Sequence, residues 1–185
     1  MSRGFLLLRD TSAVSLSYIA AFWLTFEIVM PVQNAVVPGI AGFASLLFLP
    51  HGVRVLSAWL LGWRSVIALL PGVFAVFWWV AGTAAFSPSR LTAIGVAVTV
   101  PALCFAIARQ LGMDLMPAPQ KKPCWPCIMS MGAVISLASS LLTNLALDNP
   151  ARVYFAYLIG DIFGLFFLMA LLMYLFRSLR KQALK

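Results

Sequence analysis

Apolar segments about as long as a bilayer is thick dominate the chain. A membrane-spanning helix needs about 20 mostly apolar residues, and four segments meet that requirement clearly, at residues 13–32, 91–111, 128–147 and 152–176. Polar residues lie between them in short stretches, of which the longest surrounds APQKKPCWPC. The pattern predicts an all-α, polytopic bundle of membrane-spanning helices in a single domain, residues 1–185.

The part of the chain from residue 35 to residue 86 is harder to divide. Residues 35–49, AVVPGIAGFASLLFL, are short for a span and contain two glycines and a proline. Residues 52–86 are too long for one span and too short for two spans with a turn. A glycine costs about 1 kcal/mol in a helix interior. We therefore predict a half-helix over 52–61 and a full helix over 63–82, with the break at Gly62.

Two topologies fit these segments. In the first, residues 35–49 make a sixth span and both termini are cytoplasmic. In the second, residues 35–49 and 52–61 form a re-entrant hairpin, five spans remain and the N-terminus is outside. Cytoplasmic loops of membrane proteins carry an excess of Lys and Arg. The six-span topology is favoured because it leaves only Arg90 and Arg152 outside, against eleven cytoplasmic basic residues: Arg3, Arg9, Arg54, Arg64, Arg109, Lys121, Lys122, Arg177, Arg180, Lys181 and Lys185.

The localisation expected from this topology is the bacterial inner membrane, with the C-terminus in the cytoplasm. Residues 1–12 are predicted as a cytoplasmic or interfacial segment, and residues 177–185 as a basic cytoplasmic tail. Hydrophobic residues make up 63% of the chain and charged residues 10%, against about 25% charged residues in soluble domains. Any binding or catalysis is therefore expected in or beside the membrane.

Charge and motifs narrow the function classes further. The net charge of +8 comes from basic residues at the ends of apolar segments, where membrane orientation explains them, so we expect no nucleic-acid partner. The chain has no glycine-rich phosphate loop, nucleophile elbow or H-E-x-x-H motif. We therefore predict a protein that is not an enzyme and that carries no cofactor.

Two carboxylates occupy positions where a charge is costly. Asp161 lies about nine residues into the last helix, or roughly 14 Å, which is close to the midplane. Glu27 lies in the first helix. A charge at the bilayer centre costs about 2.5–3.5 kcal/mol on insertion scales. Positive partners could come from Arg54, Arg64 or His51. The group could be a buried ion pair that only fixes helix packing, or a polar pocket that binds a ligand or relays a proton.

Small residues flank the acid of the last helix. Gly160 and Gly164 stand in a small-xxx-small arrangement, which allows a neighbouring backbone to approach closely. This arrangement predicts that Asp161 faces protein and not lipid.

The cysteines allow two interpretations. Cys124-Trp-Pro-Cys127 precedes a predicted helix, where the helix N-terminus stabilises a thiolate. The favoured topology places the pair in the reducing cytoplasm, and two thiolates are too few for a tetrahedral zinc site unless Cys104 or a second chain contributes. We predict no metal site, with Cys124 and Cys127 as weak candidates. The motif is interpreted as a structural turn or, alternatively, as a redox pair.

Two stretches together resemble a known family. FLPHGVRVLSAWLLGWRSVIALLPG, residues 48–72, and GDIFG, residues 160–164, resemble the motifs of the type-one membrane-associated sensor domains (MASE family), integral membrane modules found ahead of diguanylate cyclases and histidine kinases. The similarity covers roughly residues 40–175. Two basic residues, His51 and Arg54, lie inside the first motif, and we expect fewer spans than the family has and no output domain. The matching positions are Pro50, Gly52, Gly62, Arg64, Pro71, Gly72, Gly160, Asp161 and Gly164.

The resemblance implies a sensor that signals through a separate partner protein. It implies a pocket for a small-molecule ligand near the bundle centre, where Asp161 and Arg64 form the floor and Arg54, Glu27 and His51 lie nearby. Three other functions stay open at this point. The chain could be the substrate-binding membrane subunit of an energy-coupling-factor-like transporter, or an accessory or assembly subunit of a membrane complex. The third is a membrane redox enzyme built on Cys124 and Cys127.

Overall fold

The protein is an all-α bundle. The computed structural model describes residues 3–36, 45–118, 123–147 and 151–183, and in these ranges the chain forms helices and connections without strands, which confirms the predicted class. A π-helical segment, Leu24–Val29, joins the first two helices, and a short 3-10 helix, Gly82–Phe86, follows the fourth. The α-helices are α1 (Arg3–Trp23), α2 (Met30–Val36), α3 (Leu49–Leu61), α4 (Arg64–Ala81), α5 (Pro88–Gln110), α6 (Trp125–Leu147) and α7 (Ala151–Ala183).

Within the described ranges, five helical stretches are long and apolar enough to cross a membrane: Gly4–Val36, Arg64–Phe86, Pro88–Gln110, Trp125–Leu147 and Tyr157–Leu179. Of the predicted span 35–49, residues 37–44 lie outside the described ranges, residues 45–48 are not helical and Leu49 begins α3. The predicted terminal segments are helical where they are described, because α1 begins at Arg3 and α7 continues to Ala183. Several apolar helices of this length fit a multi-pass membrane protein.

The half-helix predicted before Gly62 is α3, which occupies the middle of the bundle. Gly62 ends it with a φ of 56°, a conformation that glycine adopts without strain, so the break lies where the sequence predicts it. Leu49 and Val53 of α3 pack into an apolar core with α1, α4 and α5. Val55 and Trp59 pack into a second core with α5, α6 and α7. Ten of the 13 residues of α3 are therefore buried.

Side chains of the first long helix satisfy the backbone where the chain enters α3. The N-terminal amides of a helix have no partners inside it. The buried Thr25 hydroxyl accepts a hydrogen bond from the Leu49 amide at 3.3 Å and donates one to the Ala21 carbonyl at 2.8 Å. The Gln33 side chain accepts one from the Leu46 amide at 2.7 Å. Residues 45–49 are thereby fixed against the helix that contains Thr25.

α1 and α4 run parallel and are joined at a proline in α4. Pro71 lacks an amide hydrogen and disturbs the helix around it. The Ser15 hydroxyl donates to the Ala68 carbonyl at 2.8 Å and accepts from the Gly72 amide at 3.1 Å, so it replaces the helical bond between these two groups. Arg64, the first residue of α4, pairs at 3.0 Å with Asp10, which lies two turns into α1. Because α1 and α4 are parallel and adjacent, the chain must cross back over the length of the bundle between the end of α1 and the start of α4.

The start of α3 lies directly on the glycines of α7. The Phe48 amide donates to the Gly160 carbonyl at 2.8 Å. A Cβ added at Gly164 would collide with the backbone carbonyl of Phe48, and one at Gly160 would collide with the Ser45 carbonyl. The close backbone approach predicted from this pair of glycines is confirmed. This contact brings α3 close enough to Asp161 for their polar groups to meet.

Candidate intramembrane polar site

Asp161 is the centre of a buried polar cluster made by α3, α6 and α7. Its side chain is turned into the bundle, as predicted, and the residue is 5% exposed. The Ser136 hydroxyl on α6 donates a hydrogen bond to Asp161 Oδ2 at 2.9 Å. From α3, His51 Nδ1 lies 3.2 Å from the same oxygen, and Arg54 Nη2 lies 3.7 Å from Oδ1. The Asp161 carboxylate therefore lies beside α3, the helix that ends at the Gly62 break.

His51 joins α3 to α6. Its side chain is fully buried, and Nε2 lies 3.2 Å from the carbonyl oxygen of Gly132. Because a carbonyl oxygen only accepts, Nε2 must carry a proton. Nδ1 is close to Asp161 but is not aligned for a hydrogen bond with it. The ring is thus held by one nitrogen, while the other faces the acid with its hydrogen-bonding capacity unused.

Arg54 is a buried cation that is only partly compensated. Its distance of 3.7 Å from Asp161 allows an ion pair but is too long for a hydrogen bond. Its guanidinium lies 5.7 Å from the centre of the Phe48 ring, within the range of a cation–π interaction. The buried Nε has no hydrogen-bond partner. Arg54 is therefore held mainly by electrostatic attraction.

Two tyrosines complete the surroundings of the acid. Tyr18 of α1 is 3% exposed and packs in the apolar core that contains Leu49 and Val53 of α3. Tyr157 stands one turn before Asp161 on α7. The cluster formed by α3, α6 and α7 is therefore flanked by α1.

A row of polar side chains leads away from the cluster along α6. Ser136, Ser139, Ser140 and Asn144 recur at helical spacing, and the three serines are buried. The Ser139 and Ser140 hydroxyls and the Asn144 side-chain oxygen have no hydrogen-bond partner. Asn144 does donate to the Ser140 carbonyl at 2.8 Å. The row therefore places buried polar oxygens along α6 from the cluster toward the end of that helix.

The cluster contains some of the site residues predicted from the sequence and lacks others. Asp161, Arg54 and His51 come together. Instead of the predicted Asp161–Arg64 pair, Arg64 forms an ion pair with Asp10 at the end of the bundle and its side chain is 49% exposed. The reason is that Gly62 turns the chain, so Arg64 begins a different helix from the one that carries Arg54. Glu27 is exposed on the π-helical segment, whereas Asp161, Arg54 and His51 are buried.

Sequence reasoning missed Ser136 and Tyr18. Serines recurring at helical spacing within an apolar span were the available signal for Ser136. Tyr18 carried no comparable signal, because a tyrosine in a membrane helix is common near the interface. Both side chains lie on the inner side of the bundle because of how their helices are rotated, and the sequence does not reveal that rotation.

A second feature lies at the other end of α3. Cys124 and Cys127 form a disulfide at the start of α6, so neither sulfur is available to a metal in this state. Cys124 also lines a cavity of about 20 Å³ together with Trp59 and Leu115. The Trp59 indole donates to the Leu115 carbonyl at 2.6 Å, which fixes the chain after α5 against α3.

Comparisons of the chain with protein-family models, with curated proteins and with solved structures gave no match. The resemblance to the type-one membrane-associated sensor domains therefore stays a prediction based on the residues that carry it.

Proposed function

We propose that the protein is a non-enzymatic membrane sensor or interaction module, in which the Asp161 cluster receives the input and a separate partner protein receives the output. The observation that carries the proposal is the unused hydrogen-bonding capacity of a cluster that is almost wholly buried. His51 Nδ1 and Arg54 Nε have no hydrogen-bond partners although both are removed from solvent.

The energetics favour a functional role over a purely structural one. Burying charged groups costs several kcal/mol each after relaxation, and a buried ion pair recovers this cost only when its geometry is good and the remaining groups are hydrogen-bonded. The Arg54–Asp161 contact is long and the cluster is incompletely bonded. Apolar residues would fill the same volume without that cost. A polar ligand or a proton would use the unpaired groups.

The polar row on α6 is a route by which such an input could arrive. Its unpaired oxygens begin one turn beyond Ser136, the residue that holds Asp161. Intramembrane ionisable residues commonly face water-filled cavities and mark ligand or proton pathways. The row thus supports entry of a polar ligand or a proton from the end of the bundle where α6 ends.

The proposed orientation has six passes, of which the second includes α3. The contacts of Asp10 with Arg64 and of Ser15 with Ala68 support it, because parallel α1 and α4 require an intervening return. Both termini then lie at one end of the bundle. The excess of basic residues at this end favours its assignment to the cytoplasm.

The output would travel along α7. An input that moves Asp161 relative to α3 must also disturb the contact of Gly160 and Gly164 with the start of α3, because the backbones touch there. α7 continues to Ala183, and its sequence ends in basic residues that could meet a partner at the cytoplasmic face.

The proposal is tested by cross-linking the tagged full-length protein in its native membranes and identifying the linked partners by mass spectrometry. Three forms are compared after insertion and abundance have been matched: the wild type, Asp161→Asn and the control Arg64→Ala. Arg64 is a suitable control because it lies outside the cluster and its side chain is 49% exposed, and ion pairs of exposed side chains contribute only about 0–1 kcal/mol. We expect one defined partner complex with the wild type and with Arg64→Ala, and its loss with Asp161→Asn.

The other outcomes identify the alternatives. An ATPase recovered as the constant partner would indicate a transporter subunit. A stoichiometric complex that is equally abundant with Asp161→Asn would indicate an accessory subunit in which the cluster has no signalling role. Either result contradicts the proposal.

A further inference from the structure

The Cys124–Cys127 disulfide is a poor structural crosslink. It joins residues three positions apart, and the stabilisation from a disulfide decreases as the closed loop becomes shorter. The same turn is already closed by the backbone hydrogen bond from the Ile128 amide to the Cys124 carbonyl at 3.0 Å. The bond therefore connects no separate elements of the described fold.

Its location favours chemistry instead. Cys124 is exposed and Cys127 is half-buried, so one sulfur of the pair is open to attack. Cys127 lies in the first turn of α6, where the helix N-terminus stabilises a thiolate. Lys121 and Lys122 precede the pair in the sequence and add positive charge to this part of the chain. A sulfur that leaves as a stabilised thiolate leaves faster.

The pair lies at the basic end of the bundle. Cys124 shares its cavity with Trp59, which stands one turn before Gly62. Arg64, which pairs with Asp10, follows Gly62 two residues later. The positive-inside rule assigns this end to the cytoplasm. Disulfides in that compartment are usually transient, and serve catalysis or redox sensing.

We propose that Cys124 and Cys127 form a thiol–disulfide exchange site that is reduced by a dithiol protein of the thioredoxin type. A partner thiolate attacks the exposed Cys124 Sγ, the sulfur–sulfur bond breaks, and Cys127 leaves as a thiolate that takes a proton from water. The second partner thiol, deprotonated, then attacks the partner sulfur of the mixed disulfide and releases the Cys124 thiolate. The pair gains two electrons and two protons, and the partner dithiol becomes a disulfide.

A small cavity lies beside Cys124. Its volume of about 20 Å³ is enough for about one water molecule. The inference goes beyond the proposed function. It rests on the proposed orientation and not on the Asp161 cluster.

The test uses the full-length protein in nanodiscs, prepared without reductant, and reduced thioredoxin as the probe. Samples are denatured and alkylated, and the mass of the intact protein is measured by mass spectrometry. We expect one alkylated cysteine before exposure, Cys104, and three afterwards. With a thioredoxin variant that lacks its resolving cysteine, we expect a mixed disulfide that peptide mapping places on Cys124 and that a Cys124→Ser variant does not form.

The Asp161→Asn variant separates this proposal from the proposed function. Its cysteine pair should undergo thiol–disulfide exchange as in the wild type, whatever the substitution does to the partner complex. The exchange proposal is overturned if thioredoxin leaves the pair oxidised in the folded protein while a chemical dithiol reduces it after unfolding. It is also overturned if the purified protein carries three free thiols and oxidised thioredoxin does not convert Cys124 and Cys127 into a disulfide. A mixed disulfide formed on Cys127 would overturn it as well.

Discussion

Replacing Gly164 by alanine is expected to destabilise the bundle by about 3 kcal/mol, at the upper end of the range for overpacking a well-packed core. The added Cβ would collide with the backbone carbonyl of Phe48. Backbone atoms cannot rotate away as a side chain does, so α3 must separate from α7. Folded fraction is measured by denaturant titration in mixed micelles.

Gly95→Ala is the matched control. Gly95 lies inside α5, and a Cβ there would meet nothing within 4 Å. Alanine is the better helix former by about 1 kcal/mol, so this variant should be as stable as the wild type or slightly more stable. If Gly164→Ala unfolds at the same denaturant concentration as Gly95→Ala, then α3 does not lie against α7 in the way described.

Asp161→Leu is expected to destabilise the protein by about 3–5 kcal/mol, the range for removing one partner of a buried ion pair. The loss exceeds that of the contacts themselves, because Arg54 stays buried at 8% exposure without a counter-ion. The triple variant His51→Leu, Arg54→Met, Asp161→Leu should recover most of this stability, since well-packed apolar residues often replace a buried charged group without loss. Unfolding midpoints of the three proteins provide the comparison.

The comparison separates a functional cluster from a structural one. If the triple variant is as stable as the wild type and loses the partner complex, the polar groups are kept for signalling. If the triple variant is as unstable as Asp161→Leu, the cluster holds the fold together, and the energetic argument for a sensory role fails.

Much of the fold could be predicted from the sequence because hydrophobic length and glycine positions reflect local physics. The long apolar helices follow from the requirement that a span be about 20 residues long. The end of α3 at Gly62 follows from the conformational freedom of glycine. The contact at Gly160 and Gly164 follows from the absence of side chains where two backbones meet.

The composition of the site could be predicted only in part, because it depends on helix rotation and on tertiary contacts. The inward direction of Asp161 was predictable from its glycine neighbours. The choice between Arg54 and Arg64 was not, since both flank the break and only the packed structure places Arg54 beside the acid. The exposure of Glu27 could not be predicted from the sequence either, because it depends on local helix geometry. Glu27 stands in a π-helical segment, where the side chains turn away from the positions of a regular α-helix.

The most direct test of the central claim, a buried His51 facing Asp161, is a selective nitrogen-15 histidine NMR spectrum of the protein in nanodiscs. The chain has one histidine, so each ring nitrogen gives one signal. We predict a proton on Nε2 that exchanges slowly with water, and an Nδ1 signal that shifts in Asp161→Asn but not in Asp10→Asn. A spectrum typical of a solvent-exposed imidazole, unchanged in Asp161→Asn, would contradict the account.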